Sequence, residues 1–292
     1  PVEAFPGSER VVPLLASAVR DAEDRFALVL AADQEIYQSL RSVLEGAGYA
    51  VLARSSTIAD ARDDIAETPG LDVIVAATSG PRVEALTDEV RGTPELAATP
   101  VLALVSRVEA TALSGRFERD ALTSVRPIGL RVAELETAVE TLVDGASGGP
   151  ITDAEATDFA QRSLSVLRDL AINGTGALDP ATATPALVSA MTGGSAADPM
   201  EVAGVLSTLD NPQAQIALMD EAVAASGTDR VMLLDLTTES VRRFGGRLEP
   251  RQIDRLVDLV SNAAGDEGTA AAALAGALGL PTDRLMPLIL GD

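Results

Sequence analysis

The chain has 292 residues, enough for about two domains, and it is acidic: 44 Asp and Glu against 22 basic residues give a net charge of −22. All 22 basic residues are arginine, and lysine, histidine and cysteine are absent; apolar residues make up 47% and aromatic ones 2%. These numbers exclude much chemistry. An acidic surface repels phosphate backbones and anionic headgroups, so neither nucleic acid nor membrane is an expected partner, and so few aromatics give no platform for stacked bases. Without Cys, His or Lys there is no thiol nucleophile, Ser-His-Asp triad, ordinary zinc site, Schiff base or Walker-type phosphate loop. Carboxylates, hydroxyls and arginine remain, which leaves carboxylate-only hydrolysis of the glycosidase kind open on composition alone. No cofactor is expected.

The N-terminal segment 1–24 contains "FPGSERVVPLLASAV" (5–19), a proline followed by an apolar helical face. Two placements stay open for this helix: the tail of an upstream helical repeat, or a helix docked on the domain that follows. Residues 26–143 then alternate in a βα rhythm. Apolar runs of strand length are "FALVLAA" (26–32), "YAVLA" (49–53), "LDVIVAA" (71–77), "PVLALV" (100–105) and "ALTSV" (121–125). Between them lie helical spacings: Ile36, Leu40, Val43 and Leu44; Val83, Leu86 and Val90; Val132, Leu135, Ala138, Val139 and Leu142. Five continuously apolar strands with intervening helices predict a parallel sheet covered on both faces, a doubly wound, flavodoxin-like domain over 25–145. The Gly-rich "DGASGGP" (144–150) closes it.

From 151 to 292 strand signals vanish and helical ones repeat. "LDPATATPALVSAM" from Leu178, "LDNPQAQIALMDEAV" from Leu209, "LEPRQIDRLVDLV" from Leu248 and "LPTDRLMPLIL" from Leu280 share one design. Each has a Leu, a turn closed by Pro180, Pro212, Pro250 or Pro281, and then an apolar helical face. Proline suits the first turn of a helix, where its missing N–H costs nothing. Partner helices are expected near 153–172, 198–209, 229–244 and 268–278. The spacing of 32, 38 and 31 residues predicts an α-solenoid of about four helical hairpins, with an irregular helical bundle as the alternative. The N-terminal segment echoes half of this unit.

The 26–143 region resembles a response-regulator receiver domain. "LRSVLEGAGYAVLARSS" (40–56), "LDVIVAA", "TPELAATPVLALVS" (93–106) and "VRPIGLRVAEL" (125–135) are similar, in order and spacing, to that family's first helix, third strand, approach to the fourth strand and final strand–helix turn. The resemblance implies five chemical positions: an acid pair that holds Mg²⁺, a phosphoacceptor Asp, a switch hydroxyl and a Lys before Pro. Here the acid pair falls on Ala31 and Ala32, with Asp33 one step later. The phosphoacceptor falls on Ala77, the hydroxyl on Val105 and the lysine on Arg126. Thr78 and Ser106 lie one residue past the expected places. A metal is what brings an anionic nucleophile and a phosphoryl group together, so the expectation is a phosphorylation-incompetent pseudo-receiver. The alternative of a nucleotide at the strand ends expects glycines after the first strand, and "AADQE" (31–35) has none.

The helical repeats resemble HEAT-like repeats, which implies an extended binding surface without naming its ligand. The densest basic stretch is Arg242, Arg243, Arg247, Arg251 and Arg255, around "RRFGGRLEPR". It reads either as solvated surface paired with Glu239, Glu249, Asp254 and Asp258, or as a patch for an acidic partner or a second copy of the chain. "NGT" (173–175) is a turn or a sequon, "AAAALAGALGL" (270–280) a close-packed helix, "GDEGT" (265–269) a helix cap or a cation site, and Phe244 a core residue at a helix end.

These readings converge on a non-catalytic scaffold or signalling adaptor acting through protein partners or self-association, with Val101 to Leu135 as the first surface to inspect. The alternative is a ligand-binding sensor or carboxylate-dependent hydrolase with a pocket between the two domains. The longest uncharged apolar stretch, 268–281, is short of the ~20 residues a membrane helix needs. Absence of cysteine fits a cytoplasmic location, although a chain starting at Pro1 leaves room for a signal removed by processing.

Overall fold

A computed structural model describes residues 8–20, 25–148, 152–174, 178–193 and 195–280. After a short helix, Val11–Ser17 (α1), the chain builds the α/β unit. Its strands are Arg25–Ala31 (β1), Tyr49–Val51 (β2), Val73–Ala77 (β3), Val101–Val105 (β4) and Thr123–Pro127 (β5). Its helices are Gln34–Gly46 (α2), Arg62–Glu67 (α3), Gly80–Gly92 (α4), Arg107–Phe117 (α5) and Val132–Ser147 (α6). The sheet is parallel throughout, in the flavodoxin-like order β2-β1-β3-β4-β5.

Period-2 geometry divides each apolar strand between two cores. Ala27, Val29 and Ala31 of β1 face one side with Leu102 and Leu104 of β4, under Tyr37, Leu40 and Leu44 of α2 and Leu135, Val139 and Leu142 of α6. Leu28 and Leu30 face the other, with Ile74, Ala76 and Val90. Continuous hydrophobicity is therefore what a doubly covered strand requires. β5 lies two residues later than the apolar run 121–125 suggests: Arg126 and Pro127 complete it, opposite Leu104 and Val105. An edge strand tolerates a proline and an exposed arginine, so apolarity marks it poorly. α6 likewise continues through Asp144–Ser147, into the Gly-rich break, before Gly148 adopts φ +79° and ends it. At the N-terminal end of these strands the half-buried Arg91 guanidinium donates to the carbonyls of Thr99 (2.8 Å) and Leu122 (2.9 Å), tying α4 to the entries of β4 and β5. Burial lowers the pKa of Arg91, against the opposing effect of nearby Asp120.

The helical unit contains Asp153–Asn173 (α7), Thr184–Thr192 (α8), Pro199–Leu206 (α9), Pro212–Ala224 (α10), Gly227–Phe244 (α11), Pro250–Asn262 (α12) and Gly265–Ala277 (α13). α8 pairs with α9, α10 with α11, and α12 with α13. The prolines act as expected. Pro212 and Pro250 open α10 and α12, and Pro180 opens a 3₁₀ turn, Pro180–Ala183, that leads into α8. Asn211 and Asp179 cap these starts, accepting from Gln213 N (2.8 Å) and Ala181 N (3.0 Å). The fourth Pro-led stretch, 281–290, lies outside the described residues.

α1 joins the helical core: Val12, Ala16 and Val19 are buried with residues of α7, α8 and α9. It also touches the α/β unit, where Arg10 donates to the Arg91 carbonyl at 2.8 Å. Among the described residues no helix is long and apolar enough to cross a membrane.

Candidate functional site

In a sheet of this order the ligand crevice lies outside the strand C-termini where the winding reverses, between β1 and β3. The fold brings the predicted residues to that edge. Ala31 sits beside Ala77 in register, Ala77 beside Leu104, and Leu104 beside Arg126. Ala31 and Val105 are each 1% exposed, and Ala77 is half-buried. Ala32, Asp33 and Arg126 are exposed. Asp33 serves as the N-cap of α2, its carboxylate accepting from Glu35 N at 2.8 Å and Ile36 N at 3.1 Å. Thr78 contributes its N–H to the Leu104 carbonyl (3.0 Å), continuing the ladder past β3. The loop after β1 is braced by Arg54, which donates to the Ala32 carbonyl at 3.1 Å.

A carboxylate does reach this edge, from a residue the receiver pattern does not mark. Glu109, in the first turn of α5, accepts from Gly80 N at 2.9 Å and Ser106 N at 3.1 Å, while Ser106 Oγ accepts from Glu109 N at 3.3 Å. One side chain thus serves the N-termini of two helices, α4 and α5. The Ser106 hydroxyl, then the N–H groups of Gly80 and Ser106, hold its pKa below the ordinary 4.5. Gly80 lets Glu109 come close: a Cβ there would lie 3.1 Å from Glu109 Cγ and Oε1, a tight contact. The Ser-x-x-Glu spacing of a capping box was legible in the sequence, but its reach across to α4 was not.

Around the same edge three large apolar side chains face solvent: Val108 (81% exposed), Ile128 (44%) and Val132 (57%). They occupy the first turn of α5, the exit of β5 and the first turn of α6, all within 101–135.

The arginine stretch is divided by the fold. Arg247 pairs with Asp210, and Arg251 and Arg255 both pair with Asp220 of α10, at 3.2 and 3.5 Å. Asp220 also accepts from Gln252 Nε2 at 3.2 Å. Arg243 donates to the Ala171 carbonyl of α7 (3.3 Å) and lies over Phe244, and Arg242 is exposed. The ion pairs of Arg247, Arg251 and Arg255 run to Asp210 and Asp220, acids distant in sequence and outside the expected set of Glu239, Glu249, Asp254 and Asp258. Gln215, 1% exposed, fixes the intervening turn: its Nε2 donates to the Gly245 carbonyl (3.0 Å) and Ser240 Oγ (3.2 Å), and its Oε1 accepts from Arg247 N (2.9 Å). Gly245, at φ +83°, makes that turn possible.

Of the lesser motifs, Glu267 of "GDEGT" accepts from Gly227 N at the start of α11 and pairs with Arg230. Ala270, Ala271 and Ala275 are buried in α13, which packs against α11 and α12. Thr175 of "NGT" lies outside the described residues. Where the two units meet there is a shallow cleft of about 210 Å³ lined by Val12, Pro13, Pro94, Glu95, Leu178 and Asp179. It lies at the opposite end of the sheet from the Ala31–Ala77 edge. Both its carboxylates are exposed, and Asp179 is committed as a cap. Among the described residues no group of three acids is placed to hold a metal ion. Comparison with protein-family models, with curated proteins and with solved structures returned no match.

Proposed function

We propose that this protein is a non-catalytic interaction scaffold: a phosphorylation-incompetent, receiver-like domain joined to a HEAT-like helical array. The reading rests chiefly on one observation. At the strand ends where this fold binds ligands, Ala31, Ala77 and Val105 present no nucleophile and no metal ligand, and Val108, Ile128 and Val132 beside them are apolar and exposed. A buried carboxylate without a cation is costly, so an apolar residue at the buried position 31 favours the fold once phosphoryl chemistry is absent. Three large apolar side chains left exposed at one end of the sheet support a protein contact there.

Two measurements test the proposal. Acetyl phosphate with Mg²⁺ is expected to label nothing in residues 26–143; stoichiometric labelling there overturns it. Site-specific photo-crosslinking from position 128 in cells is expected to capture a discrete protein, with capture lost in the Val108→Glu/Val132→Glu double variant. Equal capture by wild type and variant would remove the patch from the reading.

A further inference from the structure

We infer that α1 and α7 are the two halves of one helix pair, opened by insertion of the α/β unit between them, and that Arg20 is the joint holding the insert to that pair. The helical unit has two layers. α8, α10 and α12 are neighbours in one, and α9, α11 and α13 in the other. α1 packs against α8 and the 3₁₀ turn before it, so it extends the first layer; α7 packs against α9 and extends the second. α1 and α7 also pack on each other, as α8 does on α9. The whole α/β unit, 25–147, lies between them in sequence. The echo of the Pro-led half-unit in "FPGSERVVPLLASAV" has its structural counterpart in this placement.

The joint is two consecutive residues anchored in different units. Val19 is fully buried in the helical core, and its carbonyl accepts from Ser195 Oγ, between α8 and α9, at 2.6 Å. The Arg20 side chain, 11% exposed, donates to the Gly70 carbonyl at 2.9 Å and pairs with Asp72. The other Asp72 oxygen accepts from Phe26 N at 2.7 Å, so the pair fixes the entries of both β1 and β3. Adjacent Cα atoms are held about 3.8 Å apart by the peptide bond. A tilt of the α/β unit therefore strains the Val19 anchor, the Arg20 anchor or both. A charge-assisted, largely buried pair with backbone bonds at both ends resists such a tilt more than an exposed pair would. At the other end of α1, the Arg10 bond to the Arg91 carbonyl adds a second point of attachment. The integrity of the first helix pair and the seating of the α/β unit are thus one event.

Hydrogen exchange of the full chain, read by mass spectrometry, tests this. Arg20→Ala is expected to speed exchange roughly tenfold or more both at 70–73 and across α1 and α7, leaving α10–α13 unchanged, because local openings report local contacts. Arg20→Lys restores charge without the planar fork and should recover part of the protection. Arg54→Ala, an arginine at the far edge of the sheet, should leave α1 and α7 as in wild type. If Arg20→Ala fails to fold, Asp72→Asn, which keeps an acceptor for Phe26 N, is expected to show the same paired loosening. Faster exchange confined to 70–73 would reduce Arg20 to a brace of the α/β unit and overturn the joint. As an independent probe of the split pair, Ala16→Asp on the buried face of α1 should loosen α7 and α8. If it loosened the α/β unit alone, α1 would not belong to the helix pair.

Discussion

Placing an aspartate at Ala31 is the sharpest test of the apolar edge. Ala31 is 1% exposed and packed among Tyr37, Ala77 and Leu104. Asp in an unfolded chain titrates near pKa 3.9, and one pKa unit is worth about 1.4 kcal/mol. Burial without a cation raises the folded-state pKa, so the penalty is absent below about pH 4 and grows as pH rises, until the folded pKa is reached. If the carboxyl stays neutral up to pH 7, the proton linkage alone costs about 4 kcal/mol there and about 1.5 kcal/mol at pH 5. Burying the neutral group adds about 1–3 kcal/mol. The sum at pH 7 rivals the ~5–15 kcal/mol that ordinarily separates folded from unfolded chains. Urea denaturation of Ala31→Asp and wild type at pH 5 and pH 7 reads the difference directly. Ala32→Asp, one residue on and exposed, should stay within about 0.5 kcal/mol of wild type at both values. The reasoning is refuted if Ala31→Asp is as well tolerated as Ala32→Asp, or if millimolar Mg²⁺ restores its stability. The absence of histidine and cysteine keeps the comparison clean, since few other groups titrate between these values.

Two other perturbations follow from the same contacts. Because its partners depress the pKa of Glu109, its contribution to stability is full above the ordinary 4.5 and is lost as pH falls through the lower folded value. Glu109→Gln should therefore flatten the acid limb of a stability–pH curve below that point while leaving the slope from pH 5 to 7 unchanged, as followed by circular dichroism. Gln215→Leu removes three hydrogen bonds, to the Gly245 carbonyl, the Arg247 N–H and the buried Ser240 hydroxyl. It should cost about 2–4 kcal/mol in chemical denaturation, and a loss under 0.5 kcal/mol would show that the turn holds without it.

Much of the architecture is written in local pattern. The α/β unit follows from five apolar runs set between helical spacings, because a doubly covered strand needs no polar face. Helix starts at Pro212 and Pro250 follow from the properties of proline itself. Even the absence of acids at positions 31, 32 and 77, and of a hydroxyl at 105, is a plain reading of residue types. What stays hidden depends on which distant groups meet. Asp33 could be named as an acid near the site, but its service as the cap of α2 needed backbone geometry. Glu109 carries a visible capping-box spacing, whereas its second bond, to Gly80, exists only because β3 and β4 lie side by side. The arginines of 242–255 form one cluster in sequence. Folding sends Arg243 toward α7 and Arg247, Arg251 and Arg255 toward Asp210 and Asp220.

Sequence by itself determined which chemistry is missing and where most strands and helices lie, α3 and α5 excepted, since residue type and periodicity act within a few residues of chain. Tertiary structure alone decided that α1 meets α7 across the whole α/β unit, and that Val19 enters the helical core while Arg20 bonds to the α/β unit. Contacts between residues more than a hundred positions apart leave no local period to read. They form because burying the apolar face of α1 against α7 and α8 removes it from water, and nothing nearer in the chain offers that surface.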